Sequence, residues 1–280
     1  MKFTKMQGAG NDFLLIDGFK NNLCEIVPKI KNLCDRRFGV GGDGVIIALP
    51  SEISDVKMYY YNSDGSQGEM CGNGIRCFAK FVYEKGIVKK DILKIETLAG
   101  IQTAVLKIND KDIVEKIEIE IGNIKYAPED IVVNVKGENA FNKKINIDGK
   151  EIEFSSVFLG VPHTVIFIDE ENQYDVNEIG RKIEIHPVFP KKTNVDFVLP
   201  ISDDEIKIFT WERGAGRTLA CGTGSSSSAL LCHKLKGMKN RIKVVTEGGD
   251  LEVEILDDTR VKLIGSAGIS FEGEVDLENY

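Results

Sequence analysis

Apolar and polar residues alternate in many short runs along this chain, and a period of two is typical of strands with one buried face. Residues 56–61 and 205–211 show the pattern clearly. Together the runs predict strands at residues 3–6, 13–17, 44–49, 56–61, 93–97, 102–108, 116–121, 155–158, 164–168, 196–199, 205–211, 242–246, 251–256 and 260–265. The first two strands flank the Gly-rich residues 8–11, so they predict a hairpin.

Helical spacing of apolar residues is rarer than strand alternation. It predicts helices at residues 26–37, 75–85, 176–183 and 225–235. Gly39, Gly86 and Gly237 follow three of these segments and would end the helices. Residues 127–149 are polar and less regular, so we place the junction between two domains near this stretch.

The order of predicted elements occurs twice, and a cysteine motif marks the same place in each copy. Cys71 and Cys221 both begin a Cys-Gly-polar-Gly sequence, at an offset of 221 − 71 = 150 residues. Residues 49–50 and 199–200 are both Leu-Pro at that offset, and residues 56–61 match residues 206–211. Several matching segments at a nearly constant offset indicate an internal duplication. The offset is too long for a solenoid, whose repeats span about 20–50 residues.

Length and composition favour a soluble globular protein with two domains. The chain has 280 residues, of which 42% are hydrophobic and 29% charged, and its formal net charge is −8. The negative charge argues against nucleic acid as a partner, and no apolar run reaches the roughly 18 residues of a membrane span. The first six residues lead into a Gly-rich turn instead of an apolar signal core, which predicts no export signal and a cytoplasmic location.

The six cysteines are expected to stay reduced in such a compartment. None of them forms a Cys-x-x-Cys pair: Cys71 and Cys77 are six residues apart, and Cys221 and Cys232 are eleven apart. A zinc ribbon or a thioredoxin-type site is therefore not predicted, and we assign no metal.

Each cysteine motif follows a predicted strand and directly precedes a predicted helix. A helix N-terminus carries partial positive charge and N–H groups without intrahelical partners, so we expect it to lower the pKa of Cys71 and Cys221 and to favour their thiolates. The same N–H groups can bind a carboxylate. Two thiols that act on opposite faces of one carbon could invert its configuration. The competing interpretation is a pair of buried structural cysteines.

Several segments make the chain resemble the diaminopimelate epimerases, the cofactor-independent epimerases of lysine and peptidoglycan precursor biosynthesis. These segments are residues 5–13, 35–41, 62–66, 69–77, 193–195 and 212–224, in family order over nearly the whole chain. The resemblance implies an α+β fold of two pseudo-symmetric halves from an internal duplication, each a curved, mostly antiparallel sheet around a central helix, with the active site in the cleft between them. It also implies that the C-terminal strand returns to the first half. The expected domains are residues 1–125 plus 266–280, with Cys71, and residues 126–265, with Cys221.

The resemblance also assigns roles to motif residues. Cys71 and Cys221 would be the catalytic acid/base pair. The reacting α-carboxylate would be bound by Gly72, Asn73, Gly222 and Thr223, and the distal end of the substrate by Asn11, Asn62, Asn194 and Arg213. Glu212 and His163 would contact substrate ammonium groups or tune the thiol pKa values.

Other interpretations of single residues stay open. Arg213 could form a surface ion pair, Asn11 could serve turn chemistry, and His163 could be a structural loop histidine. We interpret His186 and His233 as structural.

The reaction that the resemblance implies is stereoinversion at one α-carbon of LL-2,6-diaminoheptanedioate, which gives the meso form. The substrate is a small amino acid, and no cofactor is expected, because no lysine lies in an evident cofactor site and no dinucleotide motif appears. A homodimer is left open as the assembly state.

Two positions depart from the family pattern. Val161 stands where many members have an asparagine, and Gly44 stands where some have a glutamine. The main alternative is therefore a racemase of another amino acid, such as histidine, on the same fold. A non-catalytic thiol switch or metal-binding protein is a more distant alternative, and it leaves Asn62, Asn194, Glu212 and Arg213 unexplained.

Overall fold

Strands greatly outnumber helices in the fold. The computed structural model describes residues 1–280. The strands are β1 Lys2–Gly8, β2 Asn11–Asp17, β3 Gly44–Leu49, β4 Val56–Asn62, β5 Gln67–Gly68, β6 Ile92–Thr97, β7 Gly100–Ile108, β8 Val114–Ile121, β9 Ala140–Ile147, β10 Lys150–Leu159, β11 Val161–Phe167, β12 Asn194–Pro200, β13 Glu205–Glu212, β14 Gly216–Thr218, β15 Arg241–Thr246, β16 Gly249–Asp257, β17 Arg260–Gly265 and β18 Gly268–Glu274. The helices are α1 Leu23–Ile26, α2 Ile30–Cys34, α3 Gly72–Glu84, α4 Pro128–Ile131, α5 Val176–Glu184 and α6 Gly222–Lys236, with 3-10 turns at Val27–Lys29 and Leu277–Asn279.

The chain divides into two compact units. The first contains Met1–Ile119 and Gly265–Tyr280, and the second contains Glu120–Ile264. In the first unit, β1 is antiparallel to β18 and β2, β2 is parallel to β3, and β3 is antiparallel to β4. β4 is then antiparallel to β5 and parallel to β6, which continues antiparallel through β7 to β8.

The second unit repeats this scheme strand by strand. β10 is antiparallel to β9 and β11, β11 is parallel to β12, and β12 is antiparallel to β13. β13 is antiparallel to β14 and parallel to β15, which continues antiparallel through β16 to β17. Each unit thus has a mostly antiparallel sheet, and the shared pairing order confirms the predicted α+β fold with an internal duplication.

One long helix is buried in each unit. In α3, all residues from Asn73 to Tyr83 are buried. In α6, the four consecutive serines Ser225–Ser228 are all buried. Small side chains let the strands approach the helix closely, and α6 contacts β10, β11, β12, β13 and β16. Gly237 ends α6 in the left-handed conformation, at φ +68°.

Separate hydrophobic cores stabilise the two units. The first unit buries Leu14, Ile16, Val45 and Ile47 of β2 and β3 against Ile30 and Leu33 of α2. The second buries Ile152 and Phe154 of β10, Ile166 of β11 and Phe197 of β12 against Ile183 of α5. Burial of this apolar surface is the main stabilising contribution in each unit.

The helix predicted at residues 26–37 is wrong in its extent. Pro28 has no backbone N–H, so the α-helical hydrogen bonds are interrupted by a 3-10 turn between α1 and α2. Asp35 is extended (φ −61°, ψ 124°), and its carboxylate accepts from the N–H groups of Arg37 and Phe38 at 2.7 and 2.8 Å. The helix therefore stops at Cys34.

The stretch at residues 127–149 is more regular than its polarity suggested. It contains α4 and the strand β9, which pairs with β10. β9 buries Ala140, Ile145 and Ile147 and exposes Lys144 and Asn146, so its polar residues belong to the outward face of a strand. The short strands β5 and β14 and the C-terminal strand β18 were also not located by the alternation pattern. No helix combines the length and apolar character needed to cross a membrane.

Candidate active site

Cys71 occupies the N-cap position of α3. Its backbone is extended (φ −135°, ψ 122°), and its Sγ accepts a hydrogen bond from the Gly74 N–H at 3.4 Å. A Cβ atom at Gly74 would lie 2.9 Å from the Ile46 side chain, so only glycine allows the first turn to pack this closely against β3. The thiol is thus fixed at the positive end of a buried helix.

Asn11 is held beside Cys71 by a network of charged side chains. The Cys71 Sγ lies 3.7 Å from the Asn11 Oδ1, and the Asn11 amide nitrogen donates to the Asp43 carboxylate. Arg36 binds both Asp12 and Asp43, at 2.6 and 2.7 Å. Burial works to raise the pKa of Asp12, but hydrogen bonds from Arg36 and Lys5 outweigh it and hold that pKa well below its ordinary value. The network therefore fixes the Asn11 carbonyl toward the thiol.

Arg76 is a fully buried cation one turn after Cys71. It donates to the Gly72 carbonyl at 3.1 Å and to the Asn73 Oδ1 at 2.9 Å. Burial lowers the pKa of Arg76, while its interactions with Cys77 and Cys71 act in the opposite direction. Because such coupling is reciprocal, the guanidinium favours an ionised thiol at Cys71.

Cys221 occupies the equivalent N-cap position of α6 and is almost fully buried. Its backbone is again extended (φ −121°, ψ 120°), and its Sγ lies 3.4 Å from the Thr223 Oγ1. A Cβ atom at Gly224 would lie 2.6 Å from the Asp196 Oδ1. Gly74 and Gly224 are thus equivalent: the first leaves room for the Ile46 side chain near Cys71, and the second leaves room for the Asp196 carboxylate near Cys221.

His163 lies in β11, fully buried, and connects two residues of the site. Its Nδ1 is 2.8 Å from the Asp196 Oδ2, and its Nε2 is 2.9 Å from the Thr223 Oγ1. Thr210 donates to the other oxygen of Asp196 at 2.9 Å. The structure thus brings His163, Thr223 and Cys221 together, and His163 is a buried strand residue with two side-chain partners instead of a loop histidine.

The expectation that the helix N-terminus favours a thiolate is wrong for Cys221. Burial raises the pKa of Cys221 well above its ordinary value, and the negative charges of Glu212 and Asp196 raise it further. The hydrogen bond from the Gly224 N–H lowers it, but it does not compensate. The free-energy cost of desolvating a thiolate at Cys221 is therefore larger than the stabilisation that the helix N-terminus provides.

The amides expected to bind the distal end of the substrate are already part of local networks. Asn62, at the end of β4, accepts from the Tyr60 hydroxyl at 2.7 Å and donates to the Ser66 Oγ at 3.0 Å. Asn194, at the start of β12, donates to the Pro162 carbonyl at 3.1 Å and accepts from the Arg213 N–H at 2.8 Å. Each amide has one further N–H for a ligand.

Arg213 follows β13 and directs its guanidinium to the Lys191 carbonyl, at 3.0 Å. No carboxylate of the chain is paired with it within salt-bridge distance. The preceding residue, Glu212, is the last residue of β13 and close enough for its charge to act on Cys221. Arg213 is thus a cation with capacity for an external anion.

Glu184 supports the loop that carries Arg213. Its carboxylate accepts from the Trp211 Nε1 at 2.8 Å and from the Gly214 N–H at 3.3 Å, and it pairs with Lys192 at 3.2 Å. This buried carboxylate on α5 therefore fixes both sides of Arg213, and no sequence pattern indicated it.

The departure at Gly44 has a local explanation. A Cβ atom at Gly44 would lie 2.4 Å from the Tyr61 carbonyl and 2.9 Å from the Tyr60 ring. Gly44 is the register partner of Asn62, so the Tyr60 ring fills the space of a side chain at position 44 and supplies the hydrogen bond to Asn62. Val161 begins β11 and is partly exposed.

Three further residues of the site escaped the sequence analysis: Asp43, Arg76 and Asp196. Asp43 precedes β3, Arg76 lies inside α3, and Asp196 lies inside β12. The usable signal was a charge at a predicted buried position, such as Asp196 between Val195 and Phe197 in β12. His186 and His233 bind only nearby backbone, through the Val188 N–H and the Met238 carbonyl.

Comparison with solved structures defines the class of fold. The chain superposes on a hydroxyproline epimerase from Agrobacterium vitis with a TM-score of 0.72 and 15% sequence identity, covering 98% of this chain and 90% of that one. A phenazine biosynthesis protein from Bacillus anthracis gives a TM-score of 0.71 at 15% identity, with 99% of both chains covered. At these identities the likeness concerns the fold, an α+β architecture that also occurs in a hydroxyproline epimerase.

Sequence comparison then gives the family. The model of the family described as "Diaminopimelate epimerase" matches residues 3–126 and 155–269. The diaminopimelate epimerase of Desulfitobacterium hafniense is 43% identical over 98% of this chain and 97% of its own, and that of Clostridium perfringens is 45% identical over 98% of both. The chain belongs to the diaminopimelate epimerase family.

Proposed function

We propose that this protein inverts one α-carbon of LL-2,6-diaminoheptanedioate to give the meso form, with Cys71 and Cys221 as the acid/base pair. The observation that carries the proposal is the equivalent placement of the two thiols. Each is the N-cap residue of the long buried helix of its unit, in a chain of the diaminopimelate epimerase family. A purely structural role gives no reason for a cysteine to be the N-cap residue of both helices.

In the proposed reaction, one cysteine thiolate removes the α-proton and the other cysteine delivers a proton to the opposite face of the carbon. The C–H bond breaks with its electron pair left on carbon, and the new C–H bond takes its proton from the second S–H group. The first cysteine ends protonated and the second ends ionised. The reverse reaction therefore uses the two thiols in exchanged roles.

The helix N-termini supply the electrostatic part of the proposal. The N–H groups of Gly72, Asn73, Gly222 and Thr223 belong to the first turns of α3 and α6, where backbone donors bind carboxylates well. Donors around the α-carboxylate stabilise the negative charge that develops as the α-proton leaves. The proposal uses no cofactor, since each proton is carried by a thiol.

Arg213 provides the argument for a substrate with a second carboxylate. Its cation has capacity for an anion, and a guanidinium binds a carboxylate through two parallel hydrogen bonds. The remaining N–H groups of Asn62 and Asn194 would complete the contacts with the distal amino-acid end. A racemase for an amino acid with one centre would have no use for this cation.

Replacement of either cysteine tests the two-thiol mechanism. Cys71→Ser and Cys221→Ser should each lose at least about 10³-fold in epimerisation, because a serine hydroxyl is too weak an acid to supply the base at neutral pH. Each variant should still eliminate a leaving group from the β-carbon of a suitable analogue, since elimination needs one base. Near-normal epimerisation by either folded variant would remove the mechanism.

Substrate identity is tested separately by proton exchange in heavy water. We expect deuterium to enter LL-diaminopimelate and not a panel of amino acids with one centre, histidine included. Exchange with a member of the panel and none with diaminopimelate would replace the proposed substrate while leaving the two-thiol chemistry intact.

A further inference from the structure

Four side chains of the second unit form a continuous line of hydrogen bonds that ends at Cys221. It runs from the Asp196 carboxylate to His163 at 2.8 Å, from His163 to Thr223 at 2.9 Å, and from Thr223 to the Cys221 sulfur at 3.4 Å. Asp196 and His163 are both fully buried. Solvent therefore does not compete for the contact between Asp196 and His163, and this end of the line can hold a defined arrangement of protons.

The chemistry of the end groups sets the direction of the line. A carboxylate only accepts, so His163 donates its Nδ1–H to Asp196. In a neutral imidazole the Nε2 then accepts, and the Thr223 hydroxyl is the donor to it. The Thr223 oxygen is left as an acceptor for the S–H group of Cys221.

Asp196 is itself held in place from two sides. Thr210 donates to its Oδ1 at 2.9 Å, which leaves Oδ2 for His163. The missing side chain at Gly224 provides the room for Oδ1 under the first turn of α6, since a Cβ there would lie 2.6 Å away. The carboxylate is thus locked into one position relative to the imidazole.

We propose that Asp196 is a positioning residue for proton transfer at Cys221: it fixes the tautomer of His163, and His163 and Thr223 then hold Cys221 as the protonated thiol of the pair. This inference rests on the proposed acid/base role of Cys221. It assigns the resting proton to Cys221 and the role of initial base to Cys71.

The same line accommodates the ionised thiol by a shift of two protons. The S–H proton moves to the Thr223 oxygen while the Thr223 hydroxyl proton moves to Nε2. The products are a thiolate, an intact threonine and an imidazolium paired with the Asp196 carboxylate, so protons and charge balance. The charged and titratable groups that face Cys221 are Glu212 from β13, Asp196 from β12 and, through Thr223, His163 from β11.

Alkylation of Cys221 as a function of pH tests the proposal without turnover, so its result does not depend on whether diaminopimelate is the substrate. Rates of reaction with iodoacetamide are read for each cysteine by peptide mass spectrometry. In Asp196→Asn the midpoint for Cys221 should fall by roughly one pH unit or more, because the carboxylate that opposes ionisation is gone. Turnover, measured separately, should fall at least about tenfold.

Cys232, buried in the same helix, is the internal control. Burial raises its pKa to about 12, and it takes no part in the hydrogen-bonded line. A fall in midpoint confined to Cys221 supports the proposal, and an unchanged Cys221 midpoint overturns it. If Cys232 becomes reactive as well, α6 has loosened, and the Thr223 variants decide the question.

Thr223→Val and Thr223→Ser form the second, milder comparison. Loss of the hydroxyl removes the acceptor of the Cys221 S–H and its link to His163, so Thr223→Val should alkylate about tenfold faster at fixed pH, the equivalent of one pKa unit. Thr223→Ser keeps the hydroxyl and should stay within about twofold of the wild type. Equal rates in the two variants would overturn the role of the line.

Discussion

On the strands that pack against α3, Phe13 and Ile46 are apolar and fully buried, whereas the equivalent positions against α6, 150 residues later, hold His163 and Asp196. The helices differ in the opposite sense: α3 carries the buried cation Arg76, and α6 has Ser226 in its place. Ser226 donates to the Gly222 carbonyl at 2.9 Å, as Arg76 does to the Gly72 carbonyl at 3.1 Å.

This comparison separates what a duplication keeps from what it changes. The pairing order of the strands and the N-cap position of the cysteine are the same in both units, because backbone geometry fixes them. The buried charges around the thiol have opposite signs, which favours ionisation at Cys71 and opposes it at Cys221. Two similar scaffolds thus provide a base and an acid, as a reaction with one proton donor and one acceptor requires.

Among the non-catalytic positions that differ between the units, the largest effect is expected at Arg213, which has Ser63 as its counterpart in the first unit. Arg213→Leu should lose about 2–4 kcal/mol of transition-state binding, because a distal carboxylate would be left without its charged partner. The measurement is kcat/KM with diaminopimelate. Ser63→Ala is the matched control and should stay near wild type; an equal loss in both variants would mean that Arg213 has no specific role.

Removal of the buried cation Arg76 should raise the pKa of Cys71 and so reduce its difference from the pKa of Cys221. In Arg76→Met the alkylation midpoint of Cys71 should rise by about one pH unit, and kcat/KM at pH 7 should fall about tenfold, since one pKa unit is a tenfold change. Ser226→Ala, the counterpart in α6, should leave the midpoint of Cys221 in place. A Cys71 midpoint that does not move would show that Arg76 serves packing alone.

The contribution of Asp12, which pairs with Lys5 and Arg36 in the first unit, to the free energy of unfolding should depend on pH. Because the pKa of Asp12 lies below its ordinary value of 3.8 in the folded protein, its stabilising contribution is complete above that value and is lost as the pH falls below it. Asp12→Asn should therefore cost about 1–3 kcal/mol of unfolding free energy at pH 7, and clearly less at pH 3.

Denaturant unfolding at several pH values measures this difference. Asp148→Asn in the second unit, which breaks the exposed pair between Asp148 and Lys182, should have a much smaller effect at either pH. A cost for Asp12→Asn that stays constant from pH 7 to pH 3 would rule out the charge of Asp12 as its origin.

The smallest effect is expected at Val161, where the chain departs from the family pattern. Val161→Asn should be neutral or slightly favourable for diaminopimelate, because the position is partly exposed and the amide could contact the distal end. If Val161 instead lines an apolar pocket for another amino acid, the variant should lose activity through a buried unpaired amide. Steady-state kinetics with both kinds of substrate distinguish the two cases.

The repeated landmarks were sufficient to predict the duplication, and the resemblance to the diaminopimelate epimerases implied the α+β class of fold. β9 was missed because its exposed lysines and asparagines mask three buried apolar residues, and β5 and β14 are too short to show a period. Among the site residues, the motifs located both cysteines. Asp196 and the direction of the Cys221 pKa were not accessible, because they depend on strand register and on desolvation, which a linear pattern does not contain.

The pairing of β18 with β1 affects the order in which the units can form during synthesis. β1 has two partners, β2 close by in sequence and β18 more than 260 residues later, with Lys2 opposite Glu274. The second unit is contiguous from Glu120 to Ile264, so the ribosome releases all of its strands before the first unit receives its last one. We therefore expect the later half of the chain to complete its folding first, while the earlier half waits for its final strand.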